Sequence, residues 1–104
     1  MIANTPPPPY FAVIFTSIRT DADNEGYNDM AEEMIELASK QEGFLGVESA
    51  RNEIGITVSY WNSLEAIKNW KANTRHLLAQ KHGREKWYEK YKVRICKIEH
   101  DYEL

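Results

Sequence analysis

The sequence predicts an α+β fold of the ferredoxin-like, split βαβ type, a four-stranded antiparallel sheet with both helices on one face. Three observations lead there. The chain has 104 residues, which suits one domain and is too short for two. Four segments are rich in β-branched and aromatic residues, and two others carry apolar residues at helical spacing. Their order is strand, helix, strand, strand, helix, strand.

The elements follow in chain order. Pro6 to Pro9 cannot donate backbone hydrogen bonds and favour polyproline II, so residues 1–9 read as an extended arm and 10–104 as the domain. Tyr10 to Arg19 is the first strand. Ala12, Ile14 and Ile18 lie on one side of it and Phe11, Val13 and Phe15 on the other, so both faces need cover. "TDADNEG" is a polar connection. The helix "YNDMAEEMIELASKQ" sets Tyr27, Met30, Ala31, Met34, Ile35, Leu37 and Ala38 on an apolar stripe, and Gly43 is its natural stop.

Phe44 to Arg51 and Ile54 to Trp61 read as paired strands bent at Asn52-Glu53. Ile54, Ile56, Val58 and Tyr60 share one face of the second. Gly55, Thr57 and Ser59 share the other, with Trp61 at its end; such small residues leave space for a ligand or another chain. Asn62 or Ser63 caps the next helix, whose apolar side is Leu64, Ile67, Trp70, Leu77 and Leu78. Asn73-Thr74 joins two poor helix formers and predicts an interruption. A second piece, "RHLLAQKHGREKW", is punctuated by Gly83, and the last strand starts near Tyr91.

With both helices on one face, the other face of the sheet is bare. The first strand is too apolar for that face to meet water, which predicts a homodimer formed by packing sheets. The net charge of −3 and the absence of a Lys/Arg run free of acids argue against nucleic acid. No apolar run approaches the ~20 residues that span a bilayer. "MIANTPPPP" has neither a basic start nor an apolar core, so no membrane partner and a cytoplasmic location are expected. The one cysteine, Cys96, cannot form an internal disulfide and reads as a small buried hydrophobe.

At this point the residues "EGFLGVES" followed by "GITVSYWNSLEAIKNWKANTRH" resemble the antibiotic biosynthesis monooxygenase superfamily, the dimeric α+β barrel proteins. A Gly-Phe-x-Gly stretch enters the second strand, and a tryptophan closes the third. A Ser-x-Glu-Ala helix start, a helix tryptophan and a histidine follow. The similarity runs over residues 10–102. It implies a dimeric barrel and, in one branch, oxidation of aromatic phenols by O2 without metal or flavin. It also implies that Trp70 matches the tryptophan lining the pocket of catalytic members. In the haem-degrading branch an axial histidine is implied ten positions after that tryptophan. Here the position is Gln80, and the expected asparagine is missing from "FAVIFTSI". Both departures weigh against haem.

The residues themselves support a limited chemistry. His76 and His82 are six apart, about 240° around a helix, so they do not share a metal from one face. No HExxH, CxxC, glycine-rich phosphate loop or G-x-S-x-G is present, so no metal, cofactor or acyl nucleophile is expected. What remains is a wall of aromatic and amide side chains: Phe15, Trp61, Gln80 and Trp87 to bind a small molecule, Trp70 to hold a phenolic oxygen by its indole N–H, and His76 as the base. The plainer alternative makes Trp70 a core residue and His76 a surface one. The function expected is a cofactor-independent monooxygenase acting on a small aromatic compound. Its rival is a non-catalytic ligand-binding or regulatory barrel protein.

Overall fold

The computed structural model describes residues 1–104. The elements are β1 (Tyr10–Arg19), α1 (Asn24–Ser39), β2 (Phe44–Arg51), β3 (Gly55–Trp61), α2 (Leu64–Gln80), α3 (Gly83–Trp87) and β4 (Tyr88–Ile98). The four strands form one sheet in the order β2-β3-β1-β4, with every neighbouring pair antiparallel. This is the predicted ferredoxin-like α+β fold, with a short third helix added before the last strand. No helix is long and apolar enough to cross a membrane.

The register assigns the faces. Phe11, Val13, Phe15 and Ser17 of β1 stand beside Trp61, Ser59, Thr57 and Gly55 of β3. They also stand beside Lys97, Ile95, Val93 and Tyr91 of β4. Directly opposite residues share a face. Phe11 and Val13 pack on Ala38 of α1 and on Ala66, Ile67 and Trp70 of α2, so this is the helix side. The outer side carries Ala12, Ile14 and Ile18 with Ile56, Val58 and Tyr60. Ile18 and Ile56 are exposed there.

Several boundaries differ from the sequence expectation, each for a visible reason. α1 begins inside the stretch expected as a loop, because the Asp23 carboxylate accepts the Gly26 N–H at 3.1 Å and caps the helix. Ser63 caps α2, taking the Ala66 N–H at 3.1 Å. α2 is not interrupted at Asn73-Thr74. Thr74 Oγ1 donates back to the Trp70 carbonyl at 2.9 Å and Asn73 Nδ2 to the Asn69 carbonyl at 3.0 Å, so both polar side chains are satisfied within the helix. The break falls at His82, which is left-handed with φ 52°, and Gly83 opens α3 instead of ending a helix. β4 starts at Tyr88, three residues before Tyr91, where the register shifts between Ile18 and Arg19.

Candidate functional site

Two aromatic layers lie on the helix side. The upper one joins the end of β3 to α2. Trp61 is fully buried and Trp70 nearly so, with ring centroids 5.7 Å apart and planes inclined by 29°. Phe44 meets Trp61 edge-on at 5.4 Å. The Trp61 indole N–H donates to Ser59 Oγ at 2.9 Å, so a small residue on β3 is matched by the tryptophan two places on. Trp87 Nε1 donates to Asp23 Oδ2 at 3.4 Å. Trp70 differs: no hydrogen bond from its indole is formed within the chain. Every fully buried side-chain nitrogen and oxygen is bonded, so this N–H reaches the surface.

The lower layer is richer in phenols. Phe15 meets Tyr88 at 5.5 Å and Tyr91 at 5.3 Å, and Tyr27 of α1 meets Trp87 at 6.2 Å and Tyr88 at 5.9 Å. Burial, then the neighbouring Tyr27 phenol, push the Tyr88 hydroxyl well above its usual range. Asp23 ties this layer to the α3 turn through Lys86 Nζ at 2.8 Å, and that lysine holds its carboxyl below the usual range.

The six residues singled out from the sequence therefore divide. Trp61 and Trp70 stack on each other. Phe15 and Trp87 belong to the lower layer, on either side of Tyr27 and Tyr88. The side chains of His76 and Gln80 are exposed and make no hydrogen bond within the chain. At 100° per residue, His76 points about 120° away from Trp70, so the structure does not bring these two together. Sequence reasoning placed Tyr27 on the apolar stripe of α1 and gave no site role to Tyr88, Tyr91, Arg19 or Arg51. The readable signal was Gly55, which stands opposite Arg51 in the hairpin.

On the outer side, residues 2–8 lie over the far end of the sheet and enclose a cleft of about 620 Å³ with Tyr10, Glu48, Tyr60 and Asp101. Tyr60 donates to Glu48 Oε1 at 2.6 Å, and the Ala3 N–H to Oε2 at 2.9 Å. The Tyr60 hydroxyl, then that amide, hold the Glu48 carboxyl below its ordinary range. Burial, then Glu48, push Tyr60 up. Tyr10 donates to Asp101 Oδ2 at 2.5 Å, and this bond raises the Tyr10 phenol. No three His, Cys, Asp or Glu side chains are grouped to hold a metal.

Comparison with known proteins agrees with this architecture. The chain is 50% identical over 100 residues to the uncharacterized protein YqjZ of Bacillus subtilis, covering 94% of this chain and 87% of the relative. Its fold is similar to the crystal structure of PA3566 from Pseudomonas aeruginosa, with a TM-score of 0.68 at 15% identity over 91% of this chain and 97% of that one. It is also similar to SnoaB, a cofactor-independent oxygenase from Streptomyces nogalater, with a TM-score of 0.67 at 10% identity over 93% and 98% of the two chains. Residues 9–82 match the family described as antibiotic biosynthesis monooxygenase. That span is well over half of the sequence, and the chain belongs to this family.

Proposed function

We propose that the protein is a homodimeric, cofactor-independent monooxygenase acting on a small electron-rich aromatic compound. Family membership and the fold shared with SnoaB support the reaction class. One observation carries it at the residue level: of three buried tryptophans, Trp70 alone keeps an indole N–H without a partner. A phenolic or quinone oxygen is the acceptor that such a donor suits. The reaction takes a proton from the substrate, passes one electron from the resulting anion to O2, joins the two radicals as a peroxide anion, and returns a proton to it to give the hydroperoxide. Loss of water then leaves a carbonyl. One O2 is consumed, with one oxygen atom in the product and one in water. His76 lies about 120° around α2 from Trp70 and is exposed, so it is not the base for a substrate held at Trp70, and a solvent base takes the proton.

The dimer rests on area. Only 14 of 104 residues are buried in one copy, and Ile18 and Ile56 stand exposed on a sheet face without a helix. Sedimentation at micromolar concentration is expected to give twice 12.1 kDa; a clean species at that mass itself would end the proposal.

Oxygen uptake with an anthrone-type phenol tests the chemistry. The wild type is expected to consume O2, and Trp70→Phe to lose about tenfold in affinity per folded molecule, since an acceptor on the ligand is left unpaired. Binding of the phenol without any O2 uptake would make the protein a non-catalytic ligand-binding member of the family.

A further inference from the structure

At the end of the sheet away from Trp61, Arg51 of β2 lies across β3 and donates from Nη2 to Ser17 Oγ on β1. Gly55 stands between them, and a Cβ there would overlap the Arg51 guanidinium. Ser17 is 1% exposed, so the guanidinium is anchored on a buried hydroxyl while the rest of the side chain stays open to solvent. Arg19 reaches the same place from the end of β1. Its Cζ is 3.6 Å from the centroid of the Tyr27 ring, and Arg51 Cζ is 5.8 Å from that centroid.

Neither guanidinium has a carboxylate. The ion pairs of the protein are Lys40–Glu36, Lys81–Glu33 and Lys86–Asp23. Arg19 donates only to neutral oxygens, the Trp87 and Ala22 carbonyls and Asn24 Oδ1. Arg19 is thereby fixed, whereas Arg51 spends one of its five N–H donors on Ser17 and keeps the rest. Two unneutralised cations around one phenol ring create a local positive potential that an anion relieves. Their planar forks suit a carboxylate. The neighbouring side chains are the rings of Tyr27, Tyr88 and Trp87 together with Asp23, whose carboxylate is paired with Lys86.

We propose that Arg51 and Arg19, with the Tyr27, Tyr88 and Phe15 rings, form a binding site for a small aromatic anion, a ring bearing a carboxylate or phenolate. The free donors of Arg51 take the anionic oxygens, and the ring lies against the tyrosine layer. Arg19 acts as the positioning residue that holds Tyr27. The site is separate from the one proposed around Trp70: Phe11, level with Trp61, and Ser17 are six strand steps apart, about 20 Å. It does not depend on turnover.

Calorimetric titration of the full chain with 4-hydroxybenzoate and with its neutral analogue 4-hydroxybenzamide tests this. The benzoate is expected to bind at least tenfold more tightly than the amide, and less tightly as salt is raised. Arg51→Met, which keeps most of the aliphatic stem, should weaken benzoate at least tenfold. Gly55→Ala keeps both charges but displaces the guanidinium from Ser17, and should weaken it as well. Arg75→Met, on an exposed face of α2, should leave it unchanged. Melting curves show which variants are folded; if Gly55→Ala is not, the exposed Arg51→Met decides alone. Equal binding of acid and amide, no binding of either, or wild-type affinity in Arg51→Met would overturn the site. Because the readout is binding, a lack of O2 uptake leaves this result standing, and the reverse also holds.

Discussion

Trp61 has no exposed surface, and Phe44 and Trp70 press on its ring from two sides. Truncating it leaves a hole that the sheet cannot close, so Trp61→Ala should cost about 3–5 kcal/mol, a large share of the total for a small domain. Chemical denaturation reads this directly. Trp70→Phe is milder, because most of the apolar area survives. A loss of about 1–2 kcal/mol is expected, enough to lower the melting temperature by several degrees. A large thermal loss with unchanged ligand affinity per folded molecule would reduce Trp70 to a packing residue. Both tryptophans were legible in the sequence, one closing a strand and one on a helix stripe. His76 and Gln80 were legible only as neighbours of each other, since a spacing of four places two residues on one face without saying what that face meets.

α2 shows where local propensity is overruled. Asn73 and Thr74 are poor helix formers, yet the helix passes through both because each side chain bonds back to a carbonyl one turn earlier. Thr74→Ala should therefore stabilise the protein by roughly 0.5 kcal/mol, through propensity alone. Asn73→Ala should gain less, since Asn73 Nδ2 also reaches Gln41 Oε1 at 3.3 Å and ties α2 to the turn after α1. Ser63→Ala removes the cap and should cost about 1 kcal/mol. Thermal melts of the three variants place them in that order, and a destabilised Thr74→Ala would contradict it. The strands were the most legible elements: β1 and β2 have the bounds expected of them, Tyr10–Arg19 and Phe44–Arg51. The break before α3 was legible to within a residue, since Gly83 punctuates the stretch; that His82 is the left-handed residue was not.

For the whole molecule, the element order fixed the sheet topology and the side the helices take. It did not reveal that residues 2–8 fold back onto the outer side, because that attachment rests on a bond between residues far apart, Ala3 with Glu48. Glu48 makes the attachment pH-dependent. Its carboxyl is held below the ordinary glutamate range in the folded protein, so its contribution is complete above that range. It is lost as the pH falls through the depressed folded value. Exchange of the Ala3 amide proton, followed by NMR, should be protected at neutral pH and lose that protection in acid. In Glu48→Gln the acid-dependent change should vanish; if it persists, a different group controls the arm.

The position of β1 in the sheet order has a further consequence for how the chain is made. β1 sits between β3 and β4, and its β4 edge pairs with residues some eighty positions later, Tyr10 with Ile98 and Phe11 with Lys97. A growing chain must therefore keep that edge unpaired while everything up to Trp87 is synthesised. Such distant pairing slows folding. Until β4 arrives, a strand apolar on both faces presents bare amide and carbonyl groups to any neighbour with which it can pair. A chain stopped before Tyr88 is expected to collect in inclusion bodies, and adding the missing strand as a separate peptide during refolding is expected to recover soluble protein.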